Sequence, residues 1–192
     1  MSILILGLIV FLAAHSVRIV AEDWRTRQVA RLGELRWKAL YSLVSATGLV
    51  LIVWGYGLAR AESPVLWNPP LWTYHLSALL TVPSFILLTA AYVPGNRIRF
   101  AALGHPMVVG VKLWAFAHLV SNGRLADVLL FGSFLAWALL DFRSARRRGA
   151  GAAAAPRATV GRDVATVVIG LAAWAVFALT LHGPLIGVRP FG

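Results

Sequence analysis

Five histidines, His15, His75, His105, His118 and His182, lie inside or at the edges of long apolar runs, and the chain has no cysteine. Imidazole can hold a metal or carry a proton near neutral pH. A polar group left unsatisfied in lipid costs about 2–7 kcal/mol, so each ring must meet a hydrogen-bond partner or a metal. Without cysteine there is no thiolate ligand, no disulfide and no C-x-x-C-H haem attachment. A cofactor held non-covalently through histidine nitrogens is the chemistry these residue types point to.

Each histidine also has a structural reading. His105 and His182 stand beside Pro106 and close to Pro184, at the ends of apolar runs, where a histidine serves as an interfacial cap. His15 and His118 sit inside FLAAHSV and WAFAHLV, each after small alanines that leave room for a flat group or another helix. Their structural alternative is an interhelical hydrogen bond from the imidazole. His105 and His118 are too far around one helix, about 140°, to enter a single pocket. Lys112 shares the His105 face and either contacts a substrate or lipid anion or snorkels to the surface. Trp114 lies one turn before His118 on the same face; the other tryptophans read as interfacial belt or packing.

The elements that carry these residues are transmembrane helices. The 192 residues are 59% hydrophobic and only 13% charged, and the mean hydropathy is +0.77; these values exclude disorder and fit a soluble domain poorly. Runs near the 20 residues needed to cross a bilayer fall at 2–21, 37–58, 71–93, 104–121, 125–142 and 163–181. The expectation is an all-α, single-domain bundle of about six spans. Asn122-Gly123-Arg124 folds the fourth and fifth into a hairpin, and Pro83 can kink the third. No basic residue precedes Arg18, so the first run reads as a retained helix and not as a signal peptide.

The formal charge of +11 is not a nucleic-acid signal, because the basic residues sit in short segments between spans. Arg18, Arg25, Arg27, Arg31, Arg36 and Lys38 surround the first loop, Arg97 and Arg99 the third, and Arg143, Arg146, Arg147, Arg148, Arg157 and Arg162 the fifth. The opposite side has Arg60, Arg124 and Arg189. The positive-inside rule then puts both termini on the non-cytoplasmic side. The basic, small-residue stretch 143–162 reads as a flexible cytoplasmic linker, and the mixed segment 22–36 as a short interfacial helix. There is no phosphate loop, no nucleophile elbow, no H-E-x-x-H and no carboxylate pair within a span.

Over nearly its whole length the chain resembles the NnrU family of bacterial membrane proteins. The resemblance is carried by His15-Ser16, by RLGELRWKALYSLVSATGLVLIVWGYG at 31–57 and, most specifically, by GHPMVVGVKLWAFAHLVSNG at 104–123. It implies a multi-pass protein of the bacterial inner membrane associated with nitrite and nitric oxide metabolism. The same blocks are similar to the plant 15-cis-zeta-carotene isomerases, membrane enzymes that carry haem b. That likeness implies non-covalent haem b with His15 and His118 as its iron ligands. The plant enzymes have a cysteine three residues before the second histidine, where this chain has Ala115.

Rise counting separates His15 from His118 by about 10 Å along the membrane normal. The alternative pairs are His75 with His118 on the outer side and His15 with His105 on the inner. Three functions follow as expectations: haem-based redox chemistry or gas sensing in nitrogen-oxide metabolism, isomerisation of a long apolar polyene, or a non-enzymatic role. The last covers assembly of a membrane reductase and, ranked lowest because the two halves show no internal repeat, transport. The expected partners are the lipid bilayer, nitric oxide or an apolar small molecule, and a reductase or a second copy of the chain.

Overall fold

The computed structural model describes residues 1–102, 104–149 and 158–191; positions 150–157 of the expected linker lie outside the described residues. The helices are α1 (Ser2–Val20), α2 (Glu22–Leu32), α3 (Glu34–Glu62), α4 (Leu71–Ala90) and the short α5 (Ile98–Ala101). They continue with α6 (Pro106–Ser121), α7 (Leu125–Arg147) and α8 (Val160–Val176), a π-helical turn (Phe177–Leu181) and α9 (His182–Ile186). Among the described residues there is no strand, only an isolated bridge between Val65 and Arg124. The all-helical expectation therefore holds.

Among the described residues, five helices are long and apolar enough to cross a membrane: α1, α3, α4, α7 and the continuous stretch from Val160 to Ile186. The fourth expected span is shorter. The 16 residues of α6 rise about 24 Å, less than the hydrocarbon core of about 30 Å. Pro106 explains its late start, because a proline is accommodated in the first helical turn, where its missing N–H is not needed. Helix α4 runs through Pro83 without ending. Gly33, at a φ of 82°, separates α2 from α3, and α2 packs back by setting Trp24 edge-on to Trp37.

Glycines set the closest helix contact. A Cβ on Gly7 would lie 2.6 Å from the Ile52 nitrogen, on Gly48 2.8 Å from the Phe11 nitrogen, and on Gly55 2.4 Å from the Leu4 nitrogen. The matching residue numbers fall along one helix as they rise along the other, so α1 and α3 are antiparallel with their backbones touching. Helix α7 runs parallel to α1, since Phe11 meets Phe134 and His15 meets Trp137. It runs antiparallel to α6, where His118 meets Phe131 and Lys112 meets Phe142. On the far side, Gly170 of α8 abuts Ile86 of α4, and the Trp174 indole donates to the Thr81 hydroxyl.

Hydrogen bonds close both ends of the bundle. At one end the Gly123 carbonyl accepts from the amides of Leu66 and Trp67, and the Leu125 amide donates to the Pro64 carbonyl. This fastens the α3–α4 connection onto the expected Asn122-Gly123-Arg124 turn. At the other end Asp163 accepts from the backbone and side chain of Arg97, and the Thr159 amide donates to the Gly95 carbonyl. The buried core of Leu4, Leu8, Ile52, Ala59, Leu130 and Phe131 lies between α1, α3 and α7.

Candidate functional site

One stripe of α7 organises the interior. Asp127, Phe131, Phe134, Trp137, Asp141, Ser144 and Arg148 recur every three or four residues, so they share a face of that helix. Its middle is aromatic and its two ends are polar. His15 and His118 are laid against the aromatic part from opposite flanks.

His15 stacks its ring on Phe11, with centroids 4.1 Å apart, and meets Trp137 edge-on at 5.9 Å and Tyr41 at 5.3 Å. Its Nδ1–H donates to the Phe11 carbonyl, four residues back, at 2.8 Å. His118 repeats the arrangement. Its ring stacks on Phe131 at 4.7 Å and touches Trp114 at 5.3 Å. Its Nδ1–H donates to the Trp114 carbonyl, again four residues back and again at 2.8 Å.

In both, the flat face is held by a phenylalanine and one nitrogen is committed to the helix itself. Among the described residues neither Nε2 has a hydrogen-bond partner. A proton fixed on Nδ1 leaves Nε2 as a bare lone pair. This is the tautomer that metal-bound histidines adopt when the second nitrogen donates to a carbonyl.

The two rings do not touch. Phe11, Phe134 and Trp114 form a chain of ring contacts between them, at 5.6 Å and 5.4 Å. Their α7 neighbours, Trp137 and Phe131, are six residues apart, about 9 Å of rise. Helical side chains lean towards the N-terminus of their helix. Because α1 and α6 run in opposite directions, the two side chains lean towards each other, and the offset that remains between their rings is the one these contacts mark.

The other candidates are placed elsewhere. His75 is exposed on α4. His105 occupies the N-cap position of α6 with its ring 5.8 Å from Phe142, and Lys112 sets its ammonium 3.6 Å above the same ring. The two therefore share a face, as their spacing requires. His182 follows the π turn and donates Nδ1–H to the Val188 carbonyl at 2.6 Å, tying down the C-terminal segment. Among the described residues no group of three or more His, Cys, Asp or Glu gathers to hold a metal ion.

A polar cluster at the Gly123 end is not visible in the sequence as a cluster. The Tyr56 hydroxyl donates to Asp127 at 2.7 Å, Asp127 also accepts from the Arg124 amide at 2.9 Å, and the Ser63 hydroxyl accepts from the Ala126 amide at 2.8 Å. The available signal was local: Asp127 stands three residues after Arg124, the spacing of a capping box.

Apolar helices of bundle length, short polar connections and two inward-leaning imidazoles define a polytopic α-helical membrane protein. The family described as NnrU protein matches residues 3–190. The chain belongs to the NnrU family. No curated protein and no solved structure matches it.

Proposed function

We propose that the chain is a haem b protein of the bacterial inner membrane that supports nitrite and nitric oxide metabolism, by electron transfer or by sensing the gas. It crosses the bilayer six times, with α6 as the short fourth span and both termini on the non-cytoplasmic side. The reading is supported by family membership, by alternation of helix direction, and by the segregation of basic residues to one end of the bundle.

The observation that carries it is the shared state of His15 and His118: Nδ1–H committed to the i−4 carbonyl, ring face stacked on a phenylalanine, Nε2 without a partner among the described residues. That donor set would offer nitrogen ligands to a haem iron, while Phe11, Phe134 and Trp114 occupy the interval between the two rings. The backbone carbonyls of Phe11 and Trp114 set the tautomer and raise the basicity of the ligating nitrogen. Phe11 and Phe131 fix the ring planes, and the apolar shell keeps water away. Haem supplies a one-electron couple and, where an axial position opens, a site for a small gas.

The test is an absorption spectrum and iron analysis of the full-length protein purified from haem-replete cells. A Soret band that is lost in His15→Ala and in His118→Ala is the expected result. Protein that carries neither iron nor haem overturns the reading.

A further inference from the structure

Helix α2 is tied to the long apolar helices α1 and α3 by single residues, Ala21 before it and Gly33 after it. Glu22, Asp23, Arg25, Arg27 and Arg31 are charged among its 11 residues, so it does not enter hydrocarbon itself. Its height follows from the α1–α3 register. Gly7 lies against Ile52 and Gly48 against Phe11, and continuing that register sets Val20, the end of α1, level with Ala39. Helix α3 starts earlier, at Glu34, about 8 Å of rise further out. The 11 residues of α2 are about 16 Å long, so α2 covers that rise obliquely, lying across the ends of α1 and α3. The Trp24–Trp37 contact, with centroids 5.8 Å apart, fixes the same depth, because Trp37 opens the apolar run 37–58.

The charges of α2 divide by face. Glu22 is neutralised by Arg18 at 3.4 Å and Arg25 at 3.5 Å, and Glu34 pairs with Lys38 at 2.7 Å. Arg27 and Arg31 are exposed and, among the described residues, make no ion pair, although Asp23 stands one turn before Arg27. They follow Trp24 by three and seven residues, so the three side chains share one exposed edge of the helix. Water alone is a poor partner for this region. Trp24 is 45% exposed, and the chain on either side of α2 exposes 80% of Val20 and 82% of Leu35. An indole and two unpaired guanidinium groups at the border of the hydrocarbon are complementary to phosphate above acyl chains.

We propose that the Trp24–Arg27–Arg31 edge of α2 binds the phosphate of an anionic phospholipid at the membrane surface. A net negative headgroup is favoured over a zwitterionic one, because the segment from Arg18 to Lys38 carries six basic residues against three acidic ones. Each guanidinium donates paired N–H bonds to phosphate oxygens. The indole takes the interfacial depth that tryptophan favours and leaves Val20 and Leu35 towards the acyl chains. The inference uses the crossing of the bilayer by α1 and α3 proposed above and is independent of haem.

The test titrates full-length protein in neutral detergent with dioleoylphosphatidylglycerol or dioleoylphosphatidylcholine and counts bound lipid by native mass spectrometry. Wild type should bind the anionic lipid about tenfold more tightly. Arg27→Gln/Arg31→Gln should bring the two lipids to within about twofold and keep the wild-type thermal midpoint in lipid-free detergent, since both side chains are exposed. Arg27→Lys/Arg31→Lys, which keeps the charge, should retain most of the preference. Arg143→Gln/Arg146→Gln removes two exposed cations from the end of α7 and should leave it intact. In wild type, the anionic lipid should protect Arg27 and Arg31 from phenylglyoxal, read by peptide mass spectrometry, and leave Arg143 and Arg146 reactive.

Equal affinity of wild type for the two lipids overturns the proposal. So does an equal loss of preference in the α2 and α7 variants, since the lipid would then answer to a diffuse positive field and not to this edge. Protection of all four arginines alike has the same meaning, and that measurement needs no variant to fold. None of these readouts uses haem, so their failure leaves the haem reading standing, and absence of haem leaves this one.

Discussion

Tyr56 on α3 donates its hydroxyl to the Asp127 carboxylate on α7 at 2.7 Å, and only 7% of Tyr56 and 2% of Asp127 is exposed. Asp127 is thereby the joint at which α3, the α6–α7 turn and the start of α7 meet. Tyr56→Phe removes the donor but leaves the acceptor in place, where burial denies it water. The variant should lose about 1–3 kcal/mol of stability, read as a lowered thermal midpoint in detergent. An unchanged midpoint would show that the carboxylate finds another partner.

The α1–α3 contact depends on glycine. Gly55→Val would place a Cβ 2.4 Å from the Leu4 nitrogen, against backbone and not against a movable side chain. The helices must separate, and Leu4, now fully buried, loses its packing. The expected cost exceeds the 1–3 kcal/mol of an ordinary overpacked site. Gly57→Val on the same helix meets open space, and its thermal midpoint should stay near that of the wild type. Equal effects of the two would refute the close approach.

Sidedness can be read with impermeant maleimide, because the chain contains no cysteine. Glu62→Cys, exposed at the end of α3, should label in intact cells. Thr26→Cys, exposed on α2, should label only after lysis. The reverse pattern would invert the proposed orientation; labelling of both in intact cells would put α1 and α3 on one side and refute the crossing by α3.

Periodicity and hydropathy made most of this fold legible. Spans expected at 2–21 and 71–93 match α1 and α4 within three residues, and the turn at Gly123 falls where Asn122-Gly123-Arg124 placed it. Helices α3 and α7 outrun their apolar windows because helix hydrogen bonding continues past the lipid boundary into charged sequence, through Glu34 and Arg147. The candidate site was only half legible. A histidine within an apolar run announces itself, but the commitment of Nδ1 to a carbonyl four residues back does not. The α7 stripe was hidden too: Trp137 meets His15, and Arg148 meets the Arg18 carbonyl, only once α1 is packed against that face, and pairing of helices distant in sequence leaves no periodic trace.

The choice between histidine pairs can be made by cavity rescue. His118→Gly and His15→Gly each remove a side chain whose ring rests on a phenylalanine, leaving a slot of imidazole shape. Each variant should lose its Soret band at ordinary expression levels, and millimolar imidazole added to the purified protein with haem should restore it. His75→Gly should behave as wild type, because His75 is exposed on α4. Rescue separates ligation from folding, since a misfolded variant would not recover on adding a small base. A band that persists in His118→Gly but vanishes in His75→Gly would move the iron to the far face of the bundle and remove the aromatic stripe of α7 from the site.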